Sequence, residues 1–481
     1  MNTLRPIFLI IGLLIATLGA AMFIPALVDL VADNRDWEVF AFTGTLTLLV
    51  GLGLYSGARG TTNSLSTRQA FVMTTVAWLA LTVFGALPYF FSGVVPSFTD
   101  AFFESMSGLT TTGSTVITGL DFAPPGILLW RGIQQWLGGL GIIVMAIAVF
   151  PMLQIGGMQL FKVEAFDTAE KIMPRATQIS GSISLVFILI TALCMVAYLL
   201  AGMELMDAVV HAMTTVATGG FSTRDQSIAF FDSNAIELVG IFFMVLGSIP
   251  FILYVQALQG RPQKIWENSQ VQVFVVLLAG LVAIAWALHP GVEGEPYARI
   301  IQSTFNVTSI MTGTGYASAD YGLWAPGSNA FFFAIMFIGG CAGSTSCGIK
   351  VFRFQVLFEV IKQQINRIFF PNGIFVMRFN NTRIENSVAG AVMNFFVIYF
   401  LLFGLFAIAL NLTGLDFLTS MSAAGTAISN VGPGLGETIG PSGNFQSLND
   451  TAKWILSAAM LVGRLELFTV LVLFMPRFWR V

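Results

Sequence analysis

Residues 100–115 read DAFFESMSGLTTTGST, a short helical stretch that ends in a hydroxyl-rich tip around Gly113. Three more stretches have the same form: DAVVHAMTTVATGGFST at 207–223, QSTFNVTSIMTGTGYAS at 302–318 and TSMSAAGTAISNVGPGL at 419–435. Aligned on Gly113, Gly220, Gly315 and Gly432, they lie 107, 95 and 117 residues apart. Asp100 and Asp207 each stand 13 residues before their glycine. Periods of that length repeat a whole topology within one chain.

The surroundings of these stretches are apolar. The chain has 481 residues, of which 56% are hydrophobic and 10% charged, with a mean hydropathy of +0.82. Soluble chains carry about 25% charged residues. So few charges cannot cover a fold of this size unless much of its surface faces lipid, which excludes a soluble enzyme, a disordered chain and a nucleic-acid binder. The formal charge of −3 offers no basic patch for nucleic acid. Three cysteines, Cys194, Cys341 and Cys347, give no disulfide framework.

A spanning helix needs about 20 mostly apolar residues. Ten runs qualify, at about 7–31, 38–56, 69–91, 126–150, 182–202, 234–258, 271–289, 328–358, 387–411 and 453–475. With the N-terminus in the cytoplasm and the runs alternating, 16 of the 22 Lys and Arg fall inside and five outside (Arg35, Arg131, Arg224, Arg299 and Lys453), leaving Arg464 within the last run. That asymmetry places both termini inside. Eighteen of the 25 acids fall outside, including Asp100, Glu104, Asp207, Asp225, Asp320 and Asp416. An anionic outer face concentrates cations at any mouth it surrounds.

A re-entrant helix of about 12 residues cannot cross the bilayer. Irregular backbone at membrane depth survives only where protein or water satisfies it. Each short helix would run inward from the outer face, bringing the partial negative charge of its C-terminus to the centre. Glycine beside small and hydroxylated residues lets successive carbonyls face one axis. Four such tips make rings of carbonyl oxygens that replace an ion's water shell. The expected fold is an all-α polytopic membrane protein with about ten transmembrane helices. Two leading helices (1–66) precede four pseudo-symmetric helix–pore-loop–helix repeats (67–165, 166–268, 269–370 and 371–481) around a central pore.

The motifs SGLTTTGS, TTVATGGFSTRD, TGTGYAS and AGTAISNVGPGLG resemble the four pore loops of the Trk/Ktr/HKT superfamily of potassium transporters, and most closely its TrkH/TrkG/TrkI branch. GLGIIV at 139–144, IGGMQL at 155–160, GGCAGSTSCGIK at 339–350 and the Gly463-Arg464 pair extend the resemblance over almost the whole chain. The resemblance implies a potassium-selective, channel-like uptake protein of the bacterial inner membrane. It implies a homodimer in membrane lipid, worked with a cytoplasmic nucleotide-binding regulator of the TrkA type. It implies no covalent cofactor, only K+ ions in a filter. That filter would be Thr111, Thr112 and Gly113; Thr218, Gly219 and Gly220; Gly313, Thr314 and Gly315; and Asn430, Val431 and Gly432. Serine at the first glycine accompanies sodium preference in plant relatives, so Gly113 implies potassium.

Two features lie deeper. The eighth run is about 31 residues long and is interrupted by the glycine-rich stretch 339–348. A phosphate-binding loop lacks support there, because no Gly-Lys-Ser/Thr ending and no preceding strand are present. The resemblance implies an intramembrane gate loop, with Gly343, Ser344, Thr345 and Ser346 at its centre and Cys347 where the family has glycine. Arg464 in MLVGRLELF is costly at that depth, about 2.5–3.5 kcal/mol if bare. It must face a pore or a partner: either a buried acid, or the path below the filter, where the resemblance places a gating arginine.

Other residues carry weaker signals. His211 suits a packed or hydrogen-bonded role on the second re-entrant helix. Asp100 and Asp207 are expected to cap their helices. The basic stretch Lys350 to Arg383 is the expected docking surface for a cytoplasmic regulator. Two competing functions remain: a secondary transporter coupling K+ to Na+ or H+, for which Glu466 is the acid deep in a span, and a membrane enzyme with a Ser344 or cysteine nucleophile.

Overall fold

The computed structural model describes residues 5–60, 66–148, 176–291, 296–380 and 382–480. The IGGMQL motif at 155–160 and the basic residues Lys162, Lys171 and Arg175 lie outside the described residues.

Seven described helices are long and apolar enough to cross a membrane: Arg5–Val31, Trp37–Gly57, Thr67–Ser92, Pro125–Ala146, Gln178–Leu200, Ser269–Leu288 and Asn386–Leu412. Among the described residues the regular structure is almost all helical, with a two-stranded hairpin at Arg378–Phe379 and Thr382–Arg383 and a single bridge between Ile338 and Ile349. The first two spans form a hairpin so close that a β-carbon on Gly12 or Gly19 would come 2.6 Å from the backbone nitrogen of Tyr55 or Leu48. Small residues let apolar helices approach this closely, which substitutes for the missing hydrophobic drive in lipid. The third span starts from a capping box, in which Ser66 Oγ accepts from Gln69 N and the Gln69 side chain accepts from Ser66 N.

Between the long helices lie four short ones: Phe98–Leu109, Leu205–Val216, Pro296–Thr312 and Phe417–Ser429. The third is 17 residues long and begins before the stretch quoted for it. A 12-residue helix rises about 18 Å, short of the ~30 Å hydrocarbon core. These helices are the core of the molecule. Every residue of Asp100–Leu109 is buried, and Phe103, Met106, Leu109, Trp130, Ala423, Ala427 and Met460 share one apolar cluster.

Three of the ten expected runs are not straight helices. The run 234–258 bends by 90° between Asn234–Gly247 and Phe251–Leu258. Pro250 lacks an N–H and disfavours helix at Ile249, so the ladder stops there. The run 453–475 bends by 108° between Asp450–Arg464 and Phe468–Phe474. Here Glu466 (φ 62°) and Leu467 (φ 53°, ψ −66°) leave helical space, closing a strained γ-turn with Phe468 N on Glu466 O at 2.6 Å. The eighth run divides, as its glycines suggest, into Ser328–Ile335, the loop 339–348 and Val351–Phe369.

Candidate functional site: four tips and the loop beneath them

Each short helix ends in the same way. The N–H two residues before the reference glycine bonds three residues back: Thr111 to Gly108 O (3.0 Å), Thr218 to Thr215 O (3.0 Å), Gly313 to Ile310 O (3.1 Å) and Asn430 to Ala427 O (3.3 Å). The next N–H bonds five back: Thr112 to Ser107 O, Gly219 to Thr214 O and Thr314 to Ser309 O at 2.8 Å, and Val431 to Thr426 O at 3.0 Å. This is a Schellman cap, which needs a left-handed residue at its turn. Thr111 (φ 52°), Thr218 (φ 49°), Gly313 (φ 75°) and Asn430 (φ 54°) supply it. Gly113, Gly220, Gly315 and Gly432 then take φ of 87°, 77°, 82° and 115°. Threonine is rare in this region, so the first two tips carry backbone strain.

The four glycines meet in a closed ring. A β-carbon on Gly113 would overlap the carbonyl oxygen of Gly219; on Gly220, that of Thr314; on Gly315, that of Val431. On Gly432 it would lie 2.8 Å from the carbonyl oxygen of Thr112. Each glycine thus packs on the carbonyl preceding the next glycine, and the fourth returns to the first. Among the described residues, no hydrogen-bond donor reaches the carbonyl oxygens of Thr112, Gly113, Thr218, Gly220, Gly313, Thr314, Gly315, Asn430 or Val431. Buried carbonyls almost always have a partner. So many without one, brought together by four tips, form a cluster of acceptors that suits a cation shed of water. Above the ring, all four glycines line a cavity of about 60 Å³ that also touches Arg131, Arg224 and Asp225.

Side chains behind the ring hold its shape. Asn430 Nδ2 donates to Thr112 Oγ1 at 2.9 Å, and Ser114 Oγ donates to Gly432 O at 2.8 Å, tying the fourth tip to the first. The Tyr316 hydroxyl beside the third tip bonds Thr214 and Thr215 on the second helix. Gln135 Nε2 donates to Gly219 O at 2.5 Å and its Oε1 accepts from Phe221 N at 3.0 Å. Glu104 accepts from Arg131 Nε at 2.9 Å and from Val116 N at 2.9 Å. Gln134 Nε2 donates to Gly85 O and Ser105 Oγ, both at 3.0 Å. The reading of the sequence missed Glu104 and the run's Arg131, Gln134 and Gln135 as scaffold; for the last three, polar residues inside the apolar run 126–150 were the available signal. His211, fully buried, bonds Asp207 O and Ser222 Oγ at 2.8 and 2.9 Å.

The expected caps are corrected. Ser97 caps the first helix, and Glu204 occupies the cap of the second without a side-chain bond. Asp100 and Asp207 stand in the first turn and pair instead with Lys453 (2.6 Å) and Arg224 (2.7 Å). Asp100, Glu104 and Asp207 are therefore buried partners of cations, not exposed anionic surface. Likewise Arg353 is buried, so the surface assigned to Lys350–Arg383 begins beyond it.

The loop 339–348 lies against the tips and reaches all four helix ends. Thr345 Oγ1 donates to Val216 O (3.0 Å), Ser346 Oγ and Cys347 N to Thr312 O (2.6 and 3.3 Å), and Gly348 N to Ser429 O (2.9 Å). Cys347 Sγ lies 3.4 Å from Thr111 Oγ1. The broken sixth run supports the loop from the side: Phe251 N donates to Gly343 O, Cys341 N to Ser248 O and Thr345 N to Gly247 O, at 2.9–3.1 Å. Ser344 Oγ donates to Cys341 O within the loop. Lys350 Nζ donates to Ser346 O. Arg464 is buried and donates from Nη1 to Cys347 Sγ (2.8 Å) and Thr345 O (3.4 Å), and from Nη2 to Gly138 O (3.4 Å). Glu466 pairs with Arg353, not with Arg464. Of the two sequence readings for Arg464, the contact found is with the loop.

Residues 37–481 match the TrkH family, described as cation transport protein. The chain is 43% identical to the Trk system potassium uptake protein TrkI of Halomonas elongata, over 100% of this chain and 98% of that protein. It is 37% identical to the Trk system potassium uptake protein TrkH of Escherichia coli K12, over 99% of each. The crystal structure of the potassium transporter TrkH from Vibrio parahaemolyticus superposes with a TM-score of 0.91 at 35% identity, over 99% of both chains.

Proposed function

The chain belongs to the TrkH family of cation transport proteins, and from that premise we propose that it is the pore-forming subunit of a potassium uptake system. Potassium is the cargo. It enters from the outer cavity, passes the ring of the four tips and meets the loop 339–348 below. The filter is Thr111 to Gly113, Thr218 to Gly220, Gly313 to Gly315 and Asn430 to Gly432. The carbonyls of these residues take the place of water around the ion, and the helix ends add partial negative charge. Gly343, Ser344, Thr345, Ser346 and Arg464 form the gate.

The observation that carries this reading is the closed ring of glycine–carbonyl contacts in the order first, second, third, fourth, first. We count ten membrane passages, namely the seven long helices, the two bent pairs and the eighth run divided by the loop 339–348, arranged as two leading helices and four repeats. The excess of Lys and Arg on one side supports cytoplasmic termini and a place in the bacterial inner membrane. We assign a homodimer as the working unit, and a TrkA-type nucleotide-binding regulator as the partner that opens the loop. The test is uptake in cells stripped of their own potassium uptake systems. The chain, expressed with its regulator, should restore growth at low potassium; a well-assembled protein that restores none would overturn the reading.

One observation favours a second reading, coupled transport with protons. Glu237 is buried at the start of the sixth run, and its Oε2 has no hydrogen-bond partner among the described residues. A carboxyl so placed can carry a proton. Glu237→Gln would then abolish any dependence of uptake on the proton gradient.

A further inference from the structure

We propose that the Cys347 thiol is the latch that seats Arg464 and the loop 339–348 against the filter, making it a positioning residue for gating. The proposal rests on the gating reading above and goes one residue deeper.

Cys347 is buried and touches three separate parts of the molecule. Its Sγ lies 3.4 Å from Thr111 Oγ1 and 3.9 Å from Thr111 O on the first tip. Its N–H donates to Thr312 O at 3.3 Å, and a β-carbon on Gly313 would lie 2.8 Å from Cys347 Cβ, so it also abuts the third tip. Its Sγ accepts from Arg464 Nη1 at 2.8 Å. The first and third tips are opposite one another in the ring. A side chain in contact with both lies across the axis, directly under the filter.

The direction of the arginine bond is fixed by chemistry. A guanidinium has donors and no acceptor, so it must donate to sulfur. The S–H then has Thr111 O and Thr345 O within reach, both at 3.9 Å, and the sulfur shares a hydrogen bond with Thr111 Oγ1 at 3.4 Å in which either group can donate. The thiol thereby couples the arginine of the last span to the first filter tip through one atom. The remaining contacts of Arg464 are longer: Thr345 O and Gly138 O both stand at 3.4 Å, and Nε has no partner among the described residues. The sulfur contact is thus what fixes the position of the charge beneath the ring. Serine would keep one acceptor and one donor at this place, whereas alanine and glycine would keep neither.

The test measures potassium flux per folded molecule in proteoliposomes without the regulator, alongside thermal stability. Cys347→Ala should raise flux several-fold, toward the level of Arg464→Ala, and Cys347→Ser should stay near the parent. Cys347→Gly gives a second thiol-free variant should alanine fail to assemble. Adding Cys347→Ala to Arg464→Ala should raise flux no further, because both remove the same contact. If Arg464→Ala raises flux while Cys347→Ala and Cys347→Gly stay at the parent level, the latch is wrong and the gating reading stands. If the double variant shows the product of the two single effects, the thiol acts independently of the arginine and the latch is wrong. If none of these variants moves flux, the gating reading itself falls and the latch with it.

Discussion

Gly113 is where sequence and geometry bear most directly on selectivity. Its φ of 87° and its packing on the Gly219 carbonyl leave no room for a β-carbon. Gly113→Ser must push the two tips apart or turn the backbone, and either change misplaces the carbonyls around the ion. The potassium-to-sodium permeability ratio should fall, and an unchanged ratio would remove Gly113 from the filter. In the proposed gate Arg464 would act by charge. A fixed positive charge about 8 Å from an arriving cation costs it ~2 kcal/mol at an effective dielectric of ~20, a factor of about 30 in occupancy. Arg464→Ala should raise flux several-fold with selectivity unchanged, and Arg464→Lys should keep most of the brake. A less stable protein with the same unit flux would mean that the arginine only holds the fold. The reference glycines were legible because nothing else fits their backbone. Thr111 and Thr218 were not legible as left-handed residues, since β-branched side chains argue against that conformation and only the ring's packing enforces it. The pairing of Glu466 with Arg353 was also hidden, because the two residues are 113 apart in sequence.

Among the elements, the four short helices depend on how their ends are satisfied. Asp416 caps the fourth, accepting from Thr419 N at 3.1 Å. The Thr419 side chain and backbone bonds hold its carboxyl below the usual value of 3.8. The charged form is therefore favoured by folding; its contribution is complete above that value and is lost as pH falls through the lowered one. Asp416→Ala should cost about 1 kcal/mol at neutral pH. The gap in melting temperature between variant and parent should close as pH drops below about 4; a gap that persists would mean that something other than the cap is lost. The loop 339–348 is the second such element. Deleting Gly343–Ser346 removes the Thr345 donor to the second helix end and the Ser346 donor to the third and should raise flux without the regulator. An assembled deletion variant with parental flux would make the loop a packing element. The break at 339–348 was legible from its glycines, and Pro250 gave a signal for the break beside it. The bend after Arg464 was not, because Leu465, Glu466 and Leu467 read as ordinary helix and turn only where Glu466 meets Arg353.

For the whole molecule, the apolar runs gave the membrane class, and seven described helices are long and apolar enough to span. The acid count misled in part: Asp100, Glu104 and Asp207 serve as buried ion-pair partners behind the tips, where they fix the scaffold and contribute little field to the outer mouth. What the spacing of four glycines could not give is their order around the axis, which only the cyclic contacts define. In the proposed function this ring is a passive, potassium-selective path. Its most direct test is the reversal potential of the reconstituted protein, opened by its regulator or by Arg464→Ala, under separate gradients of potassium, sodium and protons. The account predicts a reversal that follows the potassium gradient alone; a reversal that shifts with the proton or sodium gradient at fixed potassium would contradict it.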